Sequence, residues 1–174
     1  MFGFFRRRKQ QAEVRDEAES GPETTAPGTE IRYHENLVPE LLEDHQTLLA
    51  LFEKVSQAQE AGEFQQLPSM LEEFGSLLRG HLLKENVRLY IYLQHALAND
   101  PDNSALMQGF RTEMHGISKV VNRFLRHYGQ TEWDQQRRED FASELKAIGE
   151  VLVKRIETEE KVLYPLYMPP GSYS

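Results

Sequence analysis

At 174 residues and a net charge of −8, the chain is long enough for one domain with a real core and too acidic for broad nucleic-acid binding by its folded part. It contains no cysteine, which excludes a disulfide framework, a thiolate metal site and a cysteine nucleophile. No apolar run approaches the ~20 residues that cross a membrane, and no signal peptide is visible, so a cytoplasmic protein is expected.

Residues 1–9 set Phe2, Phe4 and Phe5 beside Arg6, Arg7, Arg8 and Lys9. From there to about residue 30 the chain is polar and acidic, with Pro22 and Pro27. Nothing in it is periodic, so residues 1–33 read as a disordered tail. One weak aromatic-basic anchor rarely holds a protein on a membrane, and no lasting membrane contact is expected of residues 2–9.

A first helix is predicted over about 36–60, with Pro39 in its first turn. Leu41, Leu42, His45, Leu48, Leu49 and Phe52 share one face, on which His45 is the polar exception. Ala61-Gly62-Glu63 makes the turn. A second helix over about 65–97 carries Leu67, Met70, Leu71, Phe74, Leu77, Leu78, His81, Leu82, Glu85 and Leu89 on one seam. Asn99-Asp100-Pro101-Asp102-Asn103 then breaks the chain.

A third helix is predicted from Ser104 as N-cap to about Tyr128. Its seam is Leu106, Met107, Phe110, Met114, Ile117, Val121, Phe124 and Tyr128, and His115 falls on the flank of that seam. Gly129 ends it. Thr131-Glu132-Trp133-Asp134 resembles a capping box opening a fourth helix, which runs to about 166. Phe141, Leu145, Ile148, Leu152, Ile156, Glu159 and Leu163 form its seam, with Arg155 beside it, and Pro165 and Pro169-Pro170-Gly171 stop it. Four helices with short connections predict an all-α, up-down-up-down antiparallel four-helix bundle over residues 34–168, followed by a short C-terminal tail at 169–174.

One stretch of the second helix carries chemistry. His81 and Glu85, four residues apart, project from one helix face and make half of a metal pocket if another helix supplies the rest. Residues 155–164 repeat the pattern: Glu85 aligns with Glu159, Leu89 with Leu163 and Tyr90 with Tyr164, but His81 aligns with Arg155. Every helix thus brings an unusual polar residue to its seam: His45; His81 and Glu85; His115; Arg155 and Glu159. The helix lengths allow all of them one depth in the bundle. His34, His95 and His127 are set aside; His95, for one, lies about 21 Å along the helix from His81 at ~1.5 Å per residue. Tyr90 and Tyr164 are expected as seam aromatics with a hydroxyl bond.

The order His, then His-x-x-x-Glu, then His, then Glu with Leu-Tyr-Pro resembles the hemerythrin-like (HHE cation-binding) family over about residues 34–167. Its most specific stretches are His81-Leu82-Leu83-Lys84-Glu85 with Leu89-Tyr90, and Glu159-Glu160-Lys161-Val162-Leu163-Tyr164-Pro165. The resemblance implies a hemerythrin-like bundle around a non-haem di-iron centre. His45 and His81 would hold one iron, Glu85 and Glu159 would bridge, and His115 would hold the second. The chain departs from the pattern at Arg155, where the family has the histidine of its second His-x-x-x-Glu, and at Lys119, where some members have a further histidine. A guanidinium is always charged and has no lone pair to give. Two readings follow. Arg155 turns to solvent, and a water or nearby group completes the second iron; or Arg155, helped by Lys119, supplies in the metal's place the positive charge that Glu85 and Glu159 need.

A shorter likeness, Arg155-Ile156-Glu157-Thr158-Glu159-Glu160 together with the His81–Glu85 pair, resembles the regulator of sigma D family, four-helix bundles that bind the primary sigma factor of bacterial RNA polymerase. The first resemblance implies a protein that binds non-haem iron, mono- or di-nuclear, with dioxygen or nitric oxide as ligand. Sensing or iron handling is expected over bulk oxygen transport, because the second iron is poorly provided for. The second implies a metal-free bundle acting as a regulatory protein-binding module, whose acidic surface suits a basic partner region. No nucleophile–base pair is evident in the sequence, and no enzymatic activity is expected.

Overall fold

The computed structural model describes residues 25–129 and 132–173. The aromatic-basic stretch at 2–9 and the capping candidate Thr131 lie outside the described residues. The chain folds into four rods. The first is α1 (Leu37–Glu60). The second joins α2 (Leu67–Lys84), a π-helical segment (Glu85–Tyr90) and α3 (Ile91–Ala96). The third is α4 (Pro101–Tyr128). The fourth, α5 (Gln135–Thr158), continues into a second π-helical segment (Glu159–Leu163) and a 3-10 turn (Tyr164–Leu166). Each rod packs on its neighbour in sequence and α5 closes the ring against α1, which gives the expected antiparallel four-helix bundle.

The helix starts have local causes. Asp100 caps α4, its side chain accepting from the Asn103 amide, and Pro101 fills the first helical position. The breaker cluster is therefore the cap and first turn of the helix, and Ser104 is already inside it. Asp134 caps α5 in the same way through the Arg137 amide, so the cap falls three residues beyond Thr131. Gly62 turns the chain between α1 and α2 at φ +76°, a conformation that suits glycine. Gly149 lets the Phe52 ring lie against the α5 backbone; a Cβ there would come within 2.8 Å of the ring.

Both ends of the bundle domain reach further than the composition indicates. Within the expected tail, Thr25 and Arg32 pair in an isolated antiparallel bridge and Ala26 is buried. Tyr33 stacks on Tyr167 at 4.8 Å between ring centroids. At the other terminus the Tyr173 hydroxyl donates to the Leu166 carbonyl and accepts from the Met168 amide. Aromatic rings hold both segments against Tyr92 and Tyr167, so low hydropathy did not make them a tail.

The apolar interior falls into two clusters. One, around Phe74, Phe124, Tyr128 and Phe141, fills one end; the other, around Leu41, Leu89, Leu93, Met107 and Leu163, fills the opposite end. Between them each rod changes character. His45 lies between Leu41 and Leu48, His81 between Leu78 and Leu89, Met114 between Phe110 and Val121, and Arg155 with Glu159 between Leu152 and Leu163. His45, His81, Glu85, Arg155 and Glu159 are the buried polar and charged side chains among the described residues. Burying such groups costs free energy unless they find partners, so this layer is where packing gives way to chemistry.

Candidate metal centre

Three rods bring their donors together in the layer. One ligand atom from each of His45, His81 and Glu159 lies within 4.8 Å of the other two. His45 Nε2 is 3.3 Å from Glu159 Oε2, and His81 Nε2 is 3.8 Å from Glu85 Oε1. The opposite nitrogen of each ring is anchored outside the layer. His45 Nδ1 donates to Glu160 Oε1 at 2.9 Å, and His81 Nδ1 to Asp44 Oδ2 at 3.3 Å. Asp44 is itself held by Lys84 at 2.8 Å. With Nδ1 bonded outward, Nε2 is the nitrogen that faces inward, the arrangement that metal-bound histidines need once that nitrogen is free of a proton.

Glu85 is 1% exposed. The Tyr164 hydroxyl donates to its Oε1 at 2.9 Å and lies 3.1 Å from His45 Nε2. Glu85 Oε2 is buried without a hydrogen-bond partner. Arg155, 4% exposed, also turns inward. Its Nε donates to Glu159 Oε1 at 2.6 Å, Nη1 to Glu113 Oε2 at 3.0 Å and Nη2 to the Tyr90 hydroxyl at 3.2 Å. The guanidinium also sits 4.7 Å from the centre of the Phe110 ring. The reading in which Arg155 faces solvent therefore gives way to the one in which its charge stays inside.

The candidates on the third helix do not join the layer. Met114 takes the inward position on α4, while His115, one residue on and about 100° round the helix, is exposed. It lines an open cleft between α2 and α4 that also touches Glu85 and Tyr90. Lys119 is exposed as well, and the charged α4 residue that reaches Arg155 is the acidic Glu113. Asp44, Glu160 and Glu113 escape a search of the seams because each stands one position beside a seam residue.

The two π-helical segments start at the two carboxylates, Glu85 and Glu159. In an α-helix the residue five positions on lies about 140° away; closure from i to i+5 brings it back towards the same face. That is how Tyr90 and Tyr164, each five residues after its carboxylate, reach the layer with their hydroxyls.

Burial, then the negative charge of Glu159, push the Glu85 carboxyl up to about 8. Burial, then the neighbouring His45, bring His81 down to about 4. For His45 burial acts downward, but the bonds to Glu159 and Glu160 outweigh it and the pKa rises. Protein prepared without metal is therefore expected to lose stability as pH rises from about 6.5 to 8. Glu85 keeps its proton in the folded state across that window and has released it in the unfolded chain, and His45 acts in the same sense. His81 acts oppositely, but only below its ordinary value of 6.5. The slope is on the order of 1 kcal/mol per pH unit for each proton. Urea midpoints taken across the window measure it, and midpoints that climb would contradict a protonated Glu85.

Two imidazole nitrogens and a carboxylate, with a further unpartnered carboxylate oxygen in the same layer, make a donor set for one divalent first-row metal ion. A small apolar void of about 30 Å³ adjoins it, walled by Leu48, Phe52, Phe74, Leu78, Met114 and Leu152. That volume suits one water-sized molecule. The family model of the hemerythrin HHE cation-binding domain matches residues 36–167. No curated protein and no solved structure matches the chain.

Proposed function

The chain belongs to the hemerythrin HHE cation-binding family, and from that premise we propose that it binds non-haem iron through His45, His81 and Glu159 and senses a diatomic gas, dioxygen or nitric oxide. The observation that carries the reading is the three-rod donor cluster, with each imidazole steadied from behind by a carboxylate. Iron there would supply gas-ligand and one-electron chemistry. The chain's own residues do the rest. Asp44 and Glu160 orient the imidazoles, Tyr164 restrains Glu85, and Arg155 restrains Glu159. Leu48, Phe52 and Phe74 give the void apolar walls, which with its small size favour a diatomic molecule over a larger or charged one. The role is binding rather than catalysis. A cytoplasmic setting is part of the proposal; among the described residues no helix is long and apolar enough to cross a membrane.

The test is elemental analysis of protein purified from iron-replete cells, with visible spectra recorded anaerobically before and after nitric oxide. Iron should co-purify and the spectrum should change. A second reading, a metal-free regulatory module that binds a basic region of a protein such as a sigma factor, is favoured by one observation. The Arg155–Glu159 pair already places a cation beside a buried carboxylate. Protein that contains no metal and takes up none on reconstitution would overturn the iron reading in favour of this one.

A further inference from the structure

The buried layer has two halves related by the internal repeat. In one, His81, Glu85 and Tyr90 follow one another; in the other, Arg155, Glu159 and Tyr164 do. In each half a π-helical segment begins at the carboxylate. The halves are cross-linked by their tyrosines: the Tyr164 hydroxyl donates to Glu85, and Arg155 Nη2 donates to the Tyr90 hydroxyl. With the frame shared, the difference between the halves is one of donor chemistry.

In the first half His81 faces His45 of α1, ring centroid to ring centroid at 4.7 Å, and both have a nitrogen lone pair to give. In the second half the repeat places a guanidinium at the position of the imidazole, and the rod facing it, α4, offers Met114 inward. A guanidinium has no lone pair, and a thioether is a soft ligand, poorly matched to a site of oxygen and imidazole donors. The guanidinium also takes one oxygen of the carboxylate beside it: Arg155 Nε lies 2.6 Å from Glu159 Oε1, leaving Oε2, 3.3 Å from His45 Nε2, for a metal. A permanent positive charge at that distance opposes a second cation in the same buried volume.

We propose that Arg155 is the fixed cation of the second half and restricts the centre to a single divalent metal ion, held by His45, His81 and the Oε2 atom of Glu159. This rests on the metal-binding reading above and sharpens it. Glu159 then offers one oxygen as a terminal ligand and is not available as a two-oxygen bridge, because its other oxygen is committed to the guanidinium. Arg155 is a positioning residue: it sets the number of ions and the orientation of the carboxylate without touching the metal.

The experiment is an anaerobic titration of the full chain with Fe(II), and separately Co(II), followed by equilibrium dialysis, metal analysis and magnetic susceptibility. The wild type should bind one ion per chain with the moment of an isolated high-spin ion and no exchange coupling. Arg155→His, which returns an imidazole to the second half, should raise the stoichiometry towards two, with coupling between the ions. Two coupled ions in the wild type would overturn the inference and leave the iron reading standing. No ion in the wild type would overturn both. A folded Arg155→His that still binds one ion would remove Arg155 as the determinant. If that variant does not fold, the wild-type stoichiometry and moment decide the question alone.

Discussion

Replacing Arg155 by methionine is expected to destabilise protein prepared without metal by about 3–5 kcal/mol, the cost typical of removing one member of a buried ion pair. The pair is tight and enclosed: Arg155 Nε and Glu159 Oε1 are 2.6 Å apart, with both side chains 3% exposed. Methionine fills much of the arginine stem's volume, so the loss falls on charge and hydrogen bonds more than on packing. The bond to Glu113 adds little, because that carboxylate is 66% exposed and water replaces its partner. Glu159 would be left buried beside Glu85 with only the His45 imidazole, 3.3 Å away, to offset its charge. The double variant Arg155→Met/Glu159→Gln should recover most of the loss, since it removes the orphaned charge along with its partner. Urea unfolding of wild type, both single variants and the double variant gives the coupling energy directly. A coupling energy close to zero would mean that the pair is not what neutralises the layer.

Iron binding is expected to fall by more than about 100-fold in His81→Ala, because loss of an outer partner of a metal-bound histidine alone typically costs 10–100-fold. Asp44→Asn supplies the graded comparison. It should fall inside that 10–100-fold range, since it weakens the bond to His81 Nδ1 and leaves Nε2 in place. The two variants separate ligation from general damage. His81 lies next to the apolar void, so its truncation enlarges a cavity and lowers stability whatever its role; Asp44 is at the edge of the layer and leaves the packing unchanged. Competition for Fe(II) against a chelator of known affinity measures both. Unchanged affinity in folded His81→Ala would remove His81 from the ligand set.

The helices and the depth of the polar layer were legible because both are written in the 3–4 spacing of apolar residues. The steps Leu41–His45–Leu48 and Leu78–His81 are ordinary seam steps in which a polar residue stands where leucine is expected. His115 lies outside the layer for the same reason that His45 lies within it: on α4 the seam step falls on Met114, and its neighbour is carried round to the surface. Leu49, Leu77 and Leu106 fit the seams by spacing yet are more than a third exposed, because periodicity gives a stripe wider than the contact. Asp44 and Glu160 could not be identified from spacing, since their role depends on which ring nitrogen faces outward. The direction of Arg155 was undecided in the sequence because two interactions compete for it: water at the flank of the helix, and the carboxylate one turn away. The structure resolves this in favour of the carboxylate, joined by Tyr90 and the Phe110 ring.

The two i-to-i+5 turns have a consequence for the bundle as a whole. Each adds a residue to its rod beyond what an α-helix would use, so the phase of side chains before Glu85 and Glu159 does not carry through to those after Tyr90 and Leu163. The second and fourth rods are thus each spliced from two segments with separate angular settings. The end built around Phe74 and Phe141 and the end built around Leu93 and Leu163 are stacked packing units, each with its own registration. The joint between them coincides with the polar layer, and the extra residue in each rod is the slack that lets the buried polar side chains be set there without repacking either end.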